Sequence, residues 1–473
     1  MSINKIFAYT NIVLLIILSI IIFNGDNTVA FLKASPEIPT ENVQVTQKQF
    51  SFNFNRQVNR QSVEQNFKTT PPLQGKFSWI GNKMAFTINQ PLDYDTTYNF
   101  TVQNAKTKKG TQVEKFSQNF STKPKQIIYL APSEQNPYPE FETSQLNLFN
   151  LTENQNQVLS PVNLFVLDYK ISPKKQKIYF LAADLNTAKA DIFLTDQQSL
   201  YELNLKNNKV KNLTHEKSYL NFNFTLAPDE SKIALVRAKI NQDKILSDRG
   251  IWILDLDSQK LTPFWFNNIV ENQILFSPDS SALLGVDYNL GYVLVPLQQN
   301  PEQLVEFGLH QKSYGFSNFD NSLYFTTNKD QLGEKNFITY FSGKNEKQQL
   351  FQSDPSSFHE FIKPFNFSNK IALITKTNLE KYDFLIYDLK SNQTVFKLTD
   401  PDLNYEQFSI SPNDKFAVIE VYSNQIDQNF GPTAREFIES VNSKLELAEL
   451  YLLDLSNQKI ENLELEGRKP SWL

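Results

Sequence analysis

The stretch "FTLAPDESKIALVRA", residues 224–238, decides the fold. It reads as a strand, a tight turn and a second strand. Pro228 fixes φ at the turn, and Asp229 can bond neighbouring backbone. The pattern recurs as "YKISPKKQKIYFLA" (169–182), "ILFSPDSSALLGVD" (274–287) and "FSISPNDKFAVIEV" (408–421), where Pro173, Pro278 and Pro412 hold the turn. Eroded versions stand at "GFSNFDNSLYFTT" (315–327) and "IKPFNFSNKIALIT" (362–375).

A second element belongs to the same repeat. It is a hexapeptide ending in Asn or Asp and then Leu: "LNLFNL" at 146, "LYELNL" at 200, "IWILDL" at 251, "FLIYDL" at 384 and "LYLLDL" at 450. "YVLVPL" at 292 and "NFITYF" at 336 fall where degenerate copies belong, which makes seven. The spacing of roughly 40 to 65 residues is near that of propeller blades. Most copies are followed by a polar turn and a short strand, so each repeat holds two hairpins, the four strands of a blade.

The ends of this region are asymmetric. The first repeat opens at "KQIIYLAP" (125–132), which matches the second strand of a blade and has no first strand before it. The last repeat completes itself at "KIENLEL", and "GRKPSWL" (467–473) is left over. Ring closure resolves both, with Pro470, Trp472 and Leu473 supplying the innermost strand of the first blade and removing exposed edges. The repeats "f-S-P-D-x-x-x-i-a-f" resemble the blades of TolB-like propellers, and more distantly the WD family, over about residues 125–473. That resemblance implies architecture; a propeller scaffold hosts many functions.

Upstream, the period is that of strands from about residue 43. In "QFSFNFN", Phe50, Phe52 and Phe54 alternate with polar residues, and "GKFSWIG", "KMAFTIN", "TYNFTVQ" and "KFSQNFST" follow at short intervals. The spacing predicts an immunoglobulin-type β-sandwich over 43–123, in which Tyr98 is either a tyrosine-corner residue or an ordinary half-buried strand tyrosine. The order of the Phe-rich strand, "G-x-F-x-W", "P-L-x-x-x-T-x-Y" and closing "F-x-T" resembles the bacterial Ig-like domain named after the S-layer protein SbsA. The resemblance implies a spacer or adhesive module of the cell surface. Gly110 is kept in "AKTKKG" but an acidic neighbour is not, so no metal role carries over.

Residues 6–23, "IFAYTNIVLLIILSIIIF", are uncharged and almost wholly apolar, close to the roughly 20 residues that cross a bilayer as a helix. The expectation is a signal anchor over 1–30, uncleaved rather than cut after Ala30, with the N-terminus cytoplasmic by the positive-inside tendency. Residues 31–42, with "KASPEIPTEN", are expected to be a spacer. The whole is thus expected to be all-β apart from the anchor, and extracytoplasmic, whether periplasmic or at the cell surface.

Composition excludes several chemistries. With no cysteine there are no disulfides, thiolate metal sites or cysteine nucleophiles. A net charge of −5 offers no basic surface for nucleic acid. His215, His310 and His359 are scattered without metal-ligand spacing, no G-x-S-x-G elbow exists, and 13 glycines leave no phosphate loop. Asp255 with Asp257, and Asp400 with Asp402, suit turns rather than calcium, which needs about six oxygens. Trp79, Trp252 and Trp265 are expected in packing. No catalytic residue, metal or cofactor is assigned.

Two insertions interrupt the repeats, and long loops on rigid scaffolds carry binding. One is 237–250, with Arg237, Lys244 and Arg249; the other is 423–449, with Arg435, Glu436 and Glu439. The expected function is non-catalytic binding or scaffolding toward a protein, peptide or glycan. The alternatives are a hydrolase or lyase at the central channel, or a TolB-like partner in envelope maintenance.

Overall fold

The computed structural model describes residues 11–19, 30–34, 38–133, 144–185, 198–214, 219–240, 246–264, 269–298, 304–310, 312–317, 320–328, 336–342, 346–352, 357–377, 382–400, 403–423 and 448–473. The chain divides into two compact units, Met1–Pro124 and Lys125–Leu473. Residues 11–19 are helical and exposed. Among the described residues no helix is long and apolar enough to cross a membrane, so the anchor expected over 6–23 is unsupported by them.

The first unit is a sandwich of two antiparallel sheets. One orders Leu32–Ala34, Gln49–Phe54, Lys83–Ile88 and Gly75–Ile80; the other Phe67–Thr70, Thr97–Val102 and Phe116–Ser121. The alternation seen in "QFSFNF" puts Phe50, Phe52 and Phe54 inside, where Phe50 meets Phe100 at 4.8 Å and Phe52 meets it edge-on at 5.7 Å. Aromatic pairs at such angles add to the area they bury. The Tyr98 hydroxyl accepts from the Asp93 N–H at 3.0 Å, the backbone bond of a tyrosine corner.

Residues 31–42 are not the spacer expected. Leu32 pairs with Phe54 and Ala34 with Phe52, Ala30 and Ile38 are buried, and Ser121 N–H donates to Thr40 O. A stretch with little alternation looks like linker, yet its backbone covers the edge of Gln49–Phe54 that would otherwise stand open.

The second unit holds seven four-stranded antiparallel sheets among the described residues, the blades of a propeller. Blades 2 to 7 begin with the inner strands Leu164–Ser172, Tyr219–Leu226, Ile269–Phe276, Lys312–Phe316, Ser357–Pro364 and Leu403–Ile410. Blade 1 takes its inner strand, Arg468–Trp472, from the far end of the chain; it pairs antiparallel with Gln126–Pro132, Ser471 opposite Ile128 and Trp472 opposite Ile127. Leu473 N–H donates to Gln126 O at 3.1 Å. Trp472 is buried at the seam with blade 7, its Nε1 donating to Ser409 O at 2.9 Å and its ring 6.2 Å from Phe416.

The repeats hold because local chemistry recurs. Asn150, Asn204, Asp255, Asp388 and Asp454 each accept from a backbone N–H two or three residues on. Four positions after each, Asn154, Asn208, Gln259, Asn392 and Gln458 take φ of 52–60°, so the hairpin closes. That explains the Asn or Asp ending the hexapeptide. The residue two past the turn proline does something the sequence did not advertise: Glu230 reaches back one blade to accept from Ser172 Oγ (2.6 Å), Lys174 N (3.2 Å) and Lys175 N (3.1 Å). Asp414 does the same for Asn366 N and Phe367 N on blade 6, at 2.8 and 2.6 Å.

Apolar clusters fill the spaces between consecutive blades. Ile128 and Leu146 pack with Val166 and Phe180, Leu181 and Leu200 with Phe224 and Leu235, and Phe384 with Phe408 and Ile419. Each inner strand also breaks its pairing register, between Val166 and Asp168, Asn221 and Asn223, His359 and Phe361, and Tyr405 and Gln407 among others. Such bulges re-aim side chains at sheet edges.

Candidate functional site

Strand direction defines two faces. Every inner strand of blades 2 to 7 runs toward its first hairpin turn, so connections between second and third strands leave from the opposite face. On that face blade 3 is extended: Lys232–Ile240 and Leu246–Asp255 stay paired out to Lys239 with Ser247 and Ile240 with Leu246. Residues 237–240 and 246–250 of the expected insertion are therefore strand, not loop.

Arg237 is not an exposed binding residue of that segment. It is fully buried, its guanidinium 4.1 Å from the Tyr219 ring centre and 5.3 Å from that of Trp252, within a strand buried without a break from Ile233 to Ala238. A delocalised cation between aromatic faces is well placed. Arg249 is exposed and lies 4.9 Å over Phe222, the bulged residue of the inner strand, 37% exposed; Leu246, opposite Ile240, is 40% exposed. Lys244, Arg435, Glu436 and Glu439 lie outside the described residues.

A second concentration of polar groups sits where the closing strand enters the ring. Asp168 pairs with Lys170 at 2.9 Å and with Lys469 at 3.3 Å, and Lys469 Nζ also donates to Leu167 O at 3.0 Å. Burial by itself would raise the Asp168 carboxyl, but the two ammonium groups outweigh it and hold it below its ordinary value. Lys469 N–H donates to Glu420 Oε2 at 2.8 Å, and the Tyr422 hydroxyl donates to Glu420 Oε1 at 2.8 Å. Burial pushes the Glu420 carboxyl up despite these bonds. The Tyr169 hydroxyl lies 2.7 Å from Ile128 O and 2.5 Å from Lys469 O, bonding blade 2 to both strands of the closure; burial drives its pKa upward. Pro470 and Trp472 are buried within this seam, and Leu473 packs on the cluster between blades 1 and 2.

The remaining candidates fall into structural roles. His310 stacks on Phe325 at 4.3 Å and its Nε2 lies 2.9 Å from Phe307 O; His215 is outside the described residues, and His359 lies on the inner strand of blade 6. Trp79 stacks on Phe54 at 5.7 Å and donates to Glu64 at 2.6 Å. Trp265 and Asp402 are outside the described residues. Asp255 accepts from Ser258 N at 2.8 Å, and Asp257 pairs with Lys175 at 3.4 Å. Among the described residues no group of three His, Asp or Glu side chains is placed to hold a metal.

Comparison with known proteins bears on each unit separately. Residues 26–122 match the family described as Bacterial Ig-like domain (Big_5). The match begins upstream of residues 31–42, in accord with their place in the sandwich. No curated protein matches the chain. Among solved structures, the propeller resembles a puromycin hydrolase at TM-score 0.51 and 12% identity, covering 73% of this chain and 52% of that one. The chain is also similar to TolB from Acinetobacter baumannii, at TM-score 0.42 and 14% identity over 86% of this chain and 82% of that one. The propeller domain of the Trilobed protease from Pyrococcus furiosus gives 0.41 and 16%, over 63% and 82%. At these identities the likeness concerns the fold alone.

Proposed function

We propose that this chain is a membrane-tethered, extracytoplasmic bacterial envelope protein. In this reading a surface Ig-like module of the SbsA type carries a propeller that binds a protein, peptide or glycan partner without catalysis. The apolar run 6–23 agrees with an exported, tethered chain whose N-terminus stays cytoplasmic. The observation that carries the binding role is the extended pairing of blade 3, which places exposed Arg249 over the partly exposed Phe222 of the inner strand and leaves Leu246 exposed further out. Arginine and aromatic side chains dominate binding energy at interfaces, and a rigid hairpin presents them at small entropic cost. The polar groups of the closing seam are occupied with one another: Asp168 with two lysines, Glu420 with Tyr422 and the Lys469 backbone. That arrangement suits a structural seam better than a general acid and base.

The test is capture from an envelope extract with the full chain, compared with Phe222→Ala and Arg249→Ala. Both side chains are exposed, so melting is expected to change little while specific partners are lost. Unchanged capture by both variants removes blade 3 as the site. Turnover of a peptide or glycan, abolished by one substitution at the channel, replaces the reading with that of an enzyme.

A further inference from the structure

The inner strands stand side by side around a central channel, and their register can be compared level by level. In each blade one residue closes the first hairpin: Ser172, Ala227, Ser277, Ser317, Phe365, Ser411 and, across the chain ends, Leu473. Two residues earlier lies one row around the ring: Ser471, Lys170, Thr225, Leu275, Gly315, Lys363 and Ser409. Their partners are Ile128, Tyr179, Ala234, Leu284, Tyr324, Ala372 and Val418. The levels coincide in space as well, since a β-carbon at Gly315 would lie 3.7 Å from Leu275 Cδ1 of the neighbouring blade. The preceding row is Tyr169, Phe224, Ile274, Tyr314, Ile362, Phe408 and Pro470, all buried except half-buried Tyr314. This row is the more open one apart from buried Thr225, and Lys363 is exposed in it.

The row carries two cations, three hydroxyls and no carboxylate. Lys170 and Lys363 occupy blades 2 and 6, nearly opposite in a ring of seven and at the same level of it. Surrounding protein and the Lys170 ammonium hold the Lys363 pKa down. Lys170 has Asp168 as a partner at 2.9 Å, but shares it with Lys469. Lys363 lies 5.5 Å from the Phe361 ring centre, and among the described residues it has no carboxylate partner. Other charges near the closing seam are Glu420, engaged by Lys469 N and Tyr422, Glu406, exposed at the bulge of blade 7, and Arg468.

We propose that this row is an oxyanion site inside the channel, in which Lys170 and Lys363 clamp one carboxylate or phosphate group of a ligand and half-buried Ser409 offers a hydroxyl donor to it. An anion between the two ammonium groups relieves their repulsion and gains charge-assisted hydrogen bonds. The site goes beyond the rim of blade 3 and is separable from it.

The test is NMR of the full chain carrying 13Cε-labelled lysine, titrated with inorganic phosphate and, separately, acetate, against chloride at matched ionic strength. Lys363 is assigned by the signal lost in Lys363→Gln, and Lys170 by Lys170→Gln. The expected result is a saturable shift of both signals with phosphate or acetate and not with chloride, weakened by roughly tenfold or more when either lysine is replaced, the loss of one charge-assisted bond. The stronger of the two anions identifies the headgroup. Lys363→Gln is exposed and is expected to melt as the parent does. Non-saturable shifts shared by all lysines, or saturable binding that survives both substitutions, overturns the site.

Discussion

Replacing Trp472 by alanine probes the seam on which the ring depends. The indole is 7% exposed, packs toward Phe416 and donates to Ser409 O at 2.9 Å. Truncating a buried Trp costs about 3–5 kcal/mol, of which about 1 kcal/mol belongs to the hydrogen bond. Trp472→Phe keeps most of the packing and isolates the bond, so it should lose about 1 kcal/mol. Urea denaturation of the full chain measures both, and hydrogen exchange adds location: protection of Gln126–Pro132 should fall first, since that strand pairs with Arg468–Trp472. A Trp472→Ala variant within about 0.5 kcal/mol of the parent, the scale of a neutral surface change, would refute the seam.

Further outcomes follow from the same structure. Glu230→Ala removes the acceptor for Ser172 Oγ, Lys174 N and Lys175 N; with Glu230 itself buried, the loss should be about 2–4 kcal/mol, and Glu230→Gln should recover part of it, read as the urea midpoint. Asp168 has a folded pKa below its unfolded one, so its contribution is present above about pH 4 and fades as pH falls through the folded value. Asp168→Asn should therefore be less stable than the parent at pH 7, with the gap closing in acid; a gap independent of pH would contradict the ion-pair account.

Much of this fold is legible because its turns use local chemistry. A proline, an Asx side chain and a residue with φ > 0 recur at fixed offsets, and the leftover "GRKPSWL" had one vacant strand position to fill. What was not legible depends on contacts distant in sequence. Residues 31–42 carry too few alternating apolar residues to look like strand, and Leu32–Ala34 becomes one only by pairing with Gln49–Phe54. Nothing in the sequence around Glu230 marks its partners, since its carboxylate is spent on the neighbouring blade. Arg237 looked like the start of a loop; its burial against Tyr219 follows from the extra length of the blade 3 hairpin. Lys170 and Lys363 lie far apart in sequence, and only aligned registers show that they share a level.

Ring closure is the claim on which the channel and the blade count both rest, and a cysteine-free chain allows a direct measurement of it. Ile128 and Ser471 are partners across the closing strands. Antiparallel partners lie about 4.5–5.5 Å apart at Cα, within disulfide reach. The full chain with Ile128→Cys and Ser471→Cys, oxidised at high dilution, should form one intramolecular disulfide, migrate faster on a non-reducing gel and require reductant to revert. Thiols that stay free, or that form only cross-linked dimers, would contradict the closed ring.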